Sequence, residues 1–176
     1  MWSVPLNILL IVPLFILLGT AVCSDIRSHR IPNLYLLFGG VAAAVGQIWL
    51  SGVAGLISWT GGLAVGLLCF LPLYSFGGMA AGDVKLIAVV GSYLGISGAF
   101  WAVVFSLMAG TVLGLGILLY KKQLFRSLQR YWAIASLRAY IDPSVDDAAR
   151  QRFPYAIAIL FGSLISVYFQ FASAGA

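Results

Sequence analysis

The sequence contains no glutamate, and all five of its acidic residues are aspartates. Charged residues make up only 9% of the chain, against about 25% in a typical soluble domain. That scarcity excludes a chain folded beneath a solvated charged surface. With 62% hydrophobic residues, it points to an integral membrane protein with little soluble mass. Cysteine is equally sparse. Cys23 and Cys69 form no C-x-x-C pattern, which excludes a zinc knuckle or a dithiol motif, and each reads as a buried or interfacial free thiol. His29 is the single histidine. One histidine and scattered aspartates offer neither a serine–histidine–acid set nor a metal-ligand spacing, so no metal and no cofactor is called for. Basic residues exceed acidic ones by five. In a membrane protein that excess reports topology first, and no nucleic-acid partner is expected.

What the chain has in abundance is apolar length. At about 20 residues per span, it has room for about six transmembrane helices in one all-α polytopic bundle, a single membrane domain over residues 1–176. The apolar runs cover residues 6–22, 34–50, 53–74, 84–94, 99–120 and 154–171. The first run lacks a basic leading region and is followed by Arg27 and Arg30, so it reads as a retained helix and not a signal peptide. Residues 24–33 read as a polar loop, and Pro32 suits the first turn of the next helix. Ser51-Gly52 and residues 95–98 read as tight turns. The fourth run is short; it spans only if Gly82 and Asp83 belong to its helix and the helix continues to Ser97.

Charge orients the bundle. The loop after the first helix holds Arg27 and Arg30, the loop before the fourth holds Lys85, and residues 121–152 hold the other seven basic residues. With six spans these three loops share one side, and the positive-inside rule assigns it to the cytoplasm, with both chain ends on the outer side of the plasma (inner) membrane. Within the cytoplasmic loop, Leu124, Phe125, Leu128, Tyr131, Trp132 and Ala135 gather on one helical face opposite Arg126 and Arg130. Such a helix lies flat at the interface, its basic side toward anionic lipid headgroups.

Three aspartates, Asp142, Asp146 and Asp147, fall in that polar loop, whereas Asp25 and Asp83 each sit at the end of an apolar run on the cytoplasmic side. An ionisable group at membrane depth is a functional hypothesis by default. Two carboxylates held close cannot both ionise easily, so one stays charged and activates water while its protonated partner polarises a peptide carbonyl. Other roles stay open: Asp83 as a helix cap, Asp25 as a partner of Arg27 or Arg30, or both acids as a proton pathway. Around Asp83, Gly77, Gly78 and Gly82 allow close backbone approach or merely break helices. Lys85 reads as an anchor at the headgroups, with a charge effect on Asp83 as the alternative.

The run Asp25-Ile26-Arg27-Ser28-His29-Arg30-Ile31-Pro32-Asn33 resembles the first signature segment of type IV prepilin peptidases, an Asp followed six residues later by Ile-Pro-Asn. The run from Gly78 to Leu86, containing Gly82-Asp83-Val84-Lys85, resembles their second, a Gly-x-Gly-Asp segment. Phe153-Pro154-Tyr155-Ala156-Ile157-Ala158 is similar to the Pro-Tyr-x-x-Ala stretch that opens their last helix. Ala80 departs from the pattern by replacing the first glycine of Gly-x-Gly-Asp, for which a modest backbone adjustment is expected. The resemblance implies a membrane aspartic endopeptidase that removes the leader of a prepilin or pseudopilin at the cytoplasmic face. Asp25 and Asp83 would be the catalytic pair, and Gly78, Gly82 and Lys85 would shape the site or bind substrate. Larger members carry a methyltransferase region with zinc-binding cysteines between the first helices; the short loop here implies peptidase activity without N-methylation. The short form resembles the peptidases of tight-adherence (Flp) pili, then archaeal preflagellin peptidases. Two readings compete: a proton-coupled transporter, for which no inverted repeat is apparent, and a non-catalytic subunit of a secretion assembly.

Overall fold

A computed structural model describes residues 8–28, 30–120 and 155–174. These residues form helices α1 (Ile8–Ser28), α2 (Asn33–Ser75), α3 (Ala81–Tyr120) and α4 (Ala156–Ala174), with no strand among them. All four are long and apolar enough to cross a membrane. The all-helical membrane class expected from composition is therefore present. The expected count of about six is not matched: four helical elements stand among the described residues. The reason lies in two glycines. Gly52 (φ 56°, ψ −129°) and Gly95 (φ 72°, ψ −178°) are the non-helical residues inside α2 and α3. The chain turns through them with helix on both sides and no intervening loop.

Packing shows that both turns are reversals. A straight helix would hold residues 19 positions apart at roughly 28 Å, yet the Trp59 Nε1–H donates to the Gly40 carbonyl at 3.0 Å. A Cβ added at Gly55 would strike the Gln47 carbonyl oxygen, and one at Gly91 would lie 3.0 Å from the Ala99 Cβ. Each long element is thus a helical hairpin.

Glycine also sets the spacing between elements. Gly39 lies against Leu17 and Gly46 against Leu10, so α1 and the first arm of α2 run antiparallel. Gly62 meets the Gly91 backbone and Gly66 the Ile87 carbonyl, an equally antiparallel contact between α2 and α3. Gly162 abuts Ser106, and the Ser166 hydroxyl donates to the Gly98 carbonyl at 2.9 Å, joining α3 to α4. Such small-residue seams let backbones approach where lipid supplies no hydrophobic drive for association.

From Leu86 to Gly95 every residue of α3 is buried. A helix apolar on all sides belongs at the centre of a bundle. This arm also explains how a short run is tolerated. From Ala81 to Leu94 it measures roughly 21 Å, less than the hydrocarbon thickness of about 30 Å, but neighbouring helices and not lipid surround it. By packing, the described residues up to Ala109 and those from Tyr155 onward form one unit, and residues 110–120 belong to a second. The amphipathic helix expected over 124–135, His29, Asp142, Asp146 and Asp147 lie outside the described residues.

Candidate active site

Asp25 is not in a polar loop, as its sequence neighbours suggest, but on α1, which continues to Ser28. The Ser28 hydroxyl donates to the Ser24 carbonyl one turn back at 2.8 Å, and the Ser24 hydroxyl to the Arg30 carbonyl at 2.8 Å, tying the helix end to the connection into α2. Leu10, Leu14, Leu17, Leu18 and Ala21 form the buried stripe of α1, and Asp25 takes the next position on it. The side chain is only 8% exposed. Its Oδ2 accepts a hydrogen bond at 3.3 Å from the Ala156 N–H. Ala156 is the first residue of α4, so the carboxylate meets a helix N-terminus, where free N–H groups and the macrodipole favour negative charge.

Asp83 occupies the first turn of α3 and is 5% exposed. Its N–H donates to the Ala80 carbonyl at 3.1 Å, and that of Val84 to the same oxygen at 3.4 Å. Ala80 is therefore the residue whose carbonyl opens the helix. Gly82 and Asp83 do lie within the helix, as the fourth run requires, but the helix reaches Gly95 and not Ser97 before its geometry breaks. The two carboxylates stand within electrostatic reach of each other.

Two further contacts join the segments that carry these acids. The Lys85 Nζ donates to the Asn33 Oδ1 at 3.0 Å. Lys85 is exposed and reaches this amide, a link that neither headgroup anchoring nor a charge effect on Asp83 anticipates. Gly82 packs against Ile31, whose Cβ would lie 3.5 Å from an added methyl, an ordinary contact. Gly77 and Gly78 have a local task. Gly77 (φ 73°) donates to the Tyr74 carbonyl and Gly78 to the Leu73 carbonyl, both at 2.9 Å. This is a Schellman ending for α2, and it requires the left-handed residue that Gly77 supplies.

Tyr155 stands in the sequence as part of the Pro-Tyr-x-x-Ala stretch, but sequence reasoning gives it no part in the site. Its carbonyl accepts from the Ile159 N–H at 3.1 Å, so it is the N-cap of α4. Its hydroxyl donates to the Ser106 carbonyl of α3 at 3.2 Å, and its ring meets Phe70 of α2 edge-on, with centroids 6.0 Å apart. Burial first, and then the charge of Asp83, push the phenol up to about 12, which keeps it a neutral O–H donor. The available signal was Pro154 immediately before a helix start, which marks the capping position but not what the cap touches. Among the described residues no three His, Cys, Asp or Glu side chains are grouped to hold a metal ion.

The site thus brings two buried carboxylates to one end of a helical bundle, backed by a helix N-terminus and a neutral phenol. Residues 12–115 match the type IV leader peptidase family. The chain is also 30% identical, over 148 residues, to a prepilin leader peptidase/N-methyltransferase of Bacillus subtilis (strain 168). The match covers 81% of this chain and 48% of the relative, so the chain spans about half that protein's length. No solved structure matches it significantly. Since the family match covers more than half of the chain and contains both aspartates with the segments around them, the chain belongs to the type IV leader peptidase family.

Proposed function

We propose that this protein is an aspartic endopeptidase that cleaves the N-terminal leader of prepilin-like substrates, with Asp25 and Asp83 as its catalytic pair. The observation that carries this reading is the burial of the two acids at one end of the bundle, within electrostatic reach of each other. A pair sharing one proton can work from both sides of a peptide bond. The ionised carboxylate takes a proton from water as its oxygen adds to the carbonyl carbon, and the protonated one donates to the carbonyl oxygen. Collapse of the tetrahedral intermediate then breaks the C–N bond. The newly protonated carboxyl gives its proton to the leaving amine, and the other carboxylate takes back a hydroxyl proton of the intermediate. Both groups end as carboxyls sharing one proton, ready for another turnover.

The cytoplasmic placement rests on the basic residues, all of which fall in three segments that share a side when the chain reverses at Gly52 and Gly95. A prepilin helix in the same bilayer would present its basic leader there. Only residues 29–32 separate α1 from α2, which supports peptidase activity without N-methylation and service in a tight-adherence (Flp) pilus system. Co-expression with candidate prepilins, read by mass shift, tests the assignment. Asp25→Asn and Asp83→Asn should each abolish leader removal, a loss of at least about 10³-fold, while inserting at normal levels. Efficient processing by either variant would sink the pair.

A further inference from the structure

Asp25 sits near the end of α1, and a contact that reaches its carboxylate comes from α4, far along the chain. The Ala156 N–H donates to Oδ2 at 3.3 Å, and both partners are buried. Tyr155, the adjoining residue, grips the other two helices, through its hydroxyl on the Ser106 carbonyl and its ring on Phe70. The residue pair 155–156 therefore touches α1, α2 and α3 at once. A cap built from local side chains would have satisfied the α4 N-terminus by itself. Here one of its free N–H groups is turned instead toward a carboxylate more than a hundred residues away.

We propose that the first turn of α4 is a positioning element of the active site: the Ala156 N–H fixes the direction of the Asp25 carboxylate, and Tyr155 fixes that turn against α2 and α3. Neither residue needs to touch substrate. The inference rests on the two-aspartate reading above and deepens it. A carboxylate that must take a proton from one water in one direction loses rate when its oxygen swings, because small misplacements cost orders of magnitude. The geometry also makes the donor removable. Ala156 is the first helical residue, where proline is well tolerated because its missing N–H has no partner within the helix. Ala156→Pro thus deletes the donor without breaking a helical hydrogen bond, though its ring enters a fully buried position facing Oδ2. Ala156→Gly keeps the donor while removing the methyl.

The test measures kcat, KM and the pH–rate profile of the full-length protein in liposomes, using a prepilin whose leader removal is followed by mass. Ala156→Pro should lower kcat by about 10²-fold with KM within about twofold, and should displace the profile along the pH axis, because a charge-assisted hydrogen bond to one acid has been lost. A fraction of misfolded protein would lower the curve without displacing it. Ala156→Gly should stay within about threefold of wild type, and Tyr155→Phe should lower kcat by roughly fivefold, the equivalent of one neutral hydrogen bond. Equal activity of Ala156→Pro and Ala156→Gly, or a lowered but undisplaced profile, overturns the proposal. Should Ala156→Pro fail to accumulate, Tyr155→Phe decides: a wild-type kcat overturns it. Asp25→Asn is run alongside. If it is inactive while Ala156→Pro is fully active, the positioning role alone fails; if it is fully active, the two-aspartate reading fails first.

Discussion

At the scale of single residues, three glycines of similar appearance in the sequence have three different physical tasks. Gly77 holds a left-handed backbone at the end of α2, so Gly77→Ala should cost roughly 1–2 kcal/mol in thermal unfolding of the solubilised protein. Gly62 meets the Gly91 carbonyl backbone to backbone, with no flexible side chain to yield. Gly62→Ala should cost roughly 1–3 kcal/mol or more, as overpacking does. Gly82 has only ordinary contacts with Ile31, and Gly82→Ala should leave stability within about 0.5 kcal/mol. If Gly82 shapes the site as proposed, leader cleavage should fall in that variant all the same, since it adjoins Asp83 in the chain. Unchanged cleavage would remove Gly82 from the site. Ala80 carries the opening carbonyl of α3 through its main chain. Glycine outranks alanine at such a cap, so Ala80→Gly is expected to be neutral or slightly stabilising.

Among the elements, α1 and the first arm of α3 matter most, because each carries an acid at one end. On α1 the signal was legible: the spacing of Leu10, Leu14, Leu17 and Ala21 continues to Asp25, which makes the acid a core position of a helix and not part of a loop. Reading the polar residues after Val22 as a break hid this. On α3 the pattern shows no preferred face, since the arm is enclosed all round. The Lys85–Asn33 hydrogen bond joins this arm of α3 to the start of α2, just after the connection from α1. Both groups are exposed, so its strength should be that of a surface contact. A double-mutant cycle with Lys85→Met and Asn33→Ala should give a coupling of about 0.2–1 kcal/mol. A coupling of zero would leave the alignment of the two segments to Ile31 and Gly82.

At the scale of the whole molecule, sidedness is the testable property. If the chain reverses in the bilayer at Gly52 and Gly95, single cysteines on a cysteine-free background should label from opposite faces. Ser51→Cys should react with a membrane-impermeant maleimide added outside, and Ser28→Cys and Ser75→Cys only when the cytoplasmic face is opened. Labelling of all three from one side would refute the topology. Composition alone determined the membrane class, because a chain with so few charges has no soluble alternative. The apolar runs located the helices, and the isolation of two aspartates among them singled out the acids. The sequence could not show which helix end stands behind Asp25, that Lys85 reaches Asn33, or that two turns need one residue each. Those are contacts between segments remote along the chain, set by how closely glycine-lined backbones pack, and local patterns of hydropathy carry no record of them. Only the tertiary structure decided that the start of the last helix faces the first acid.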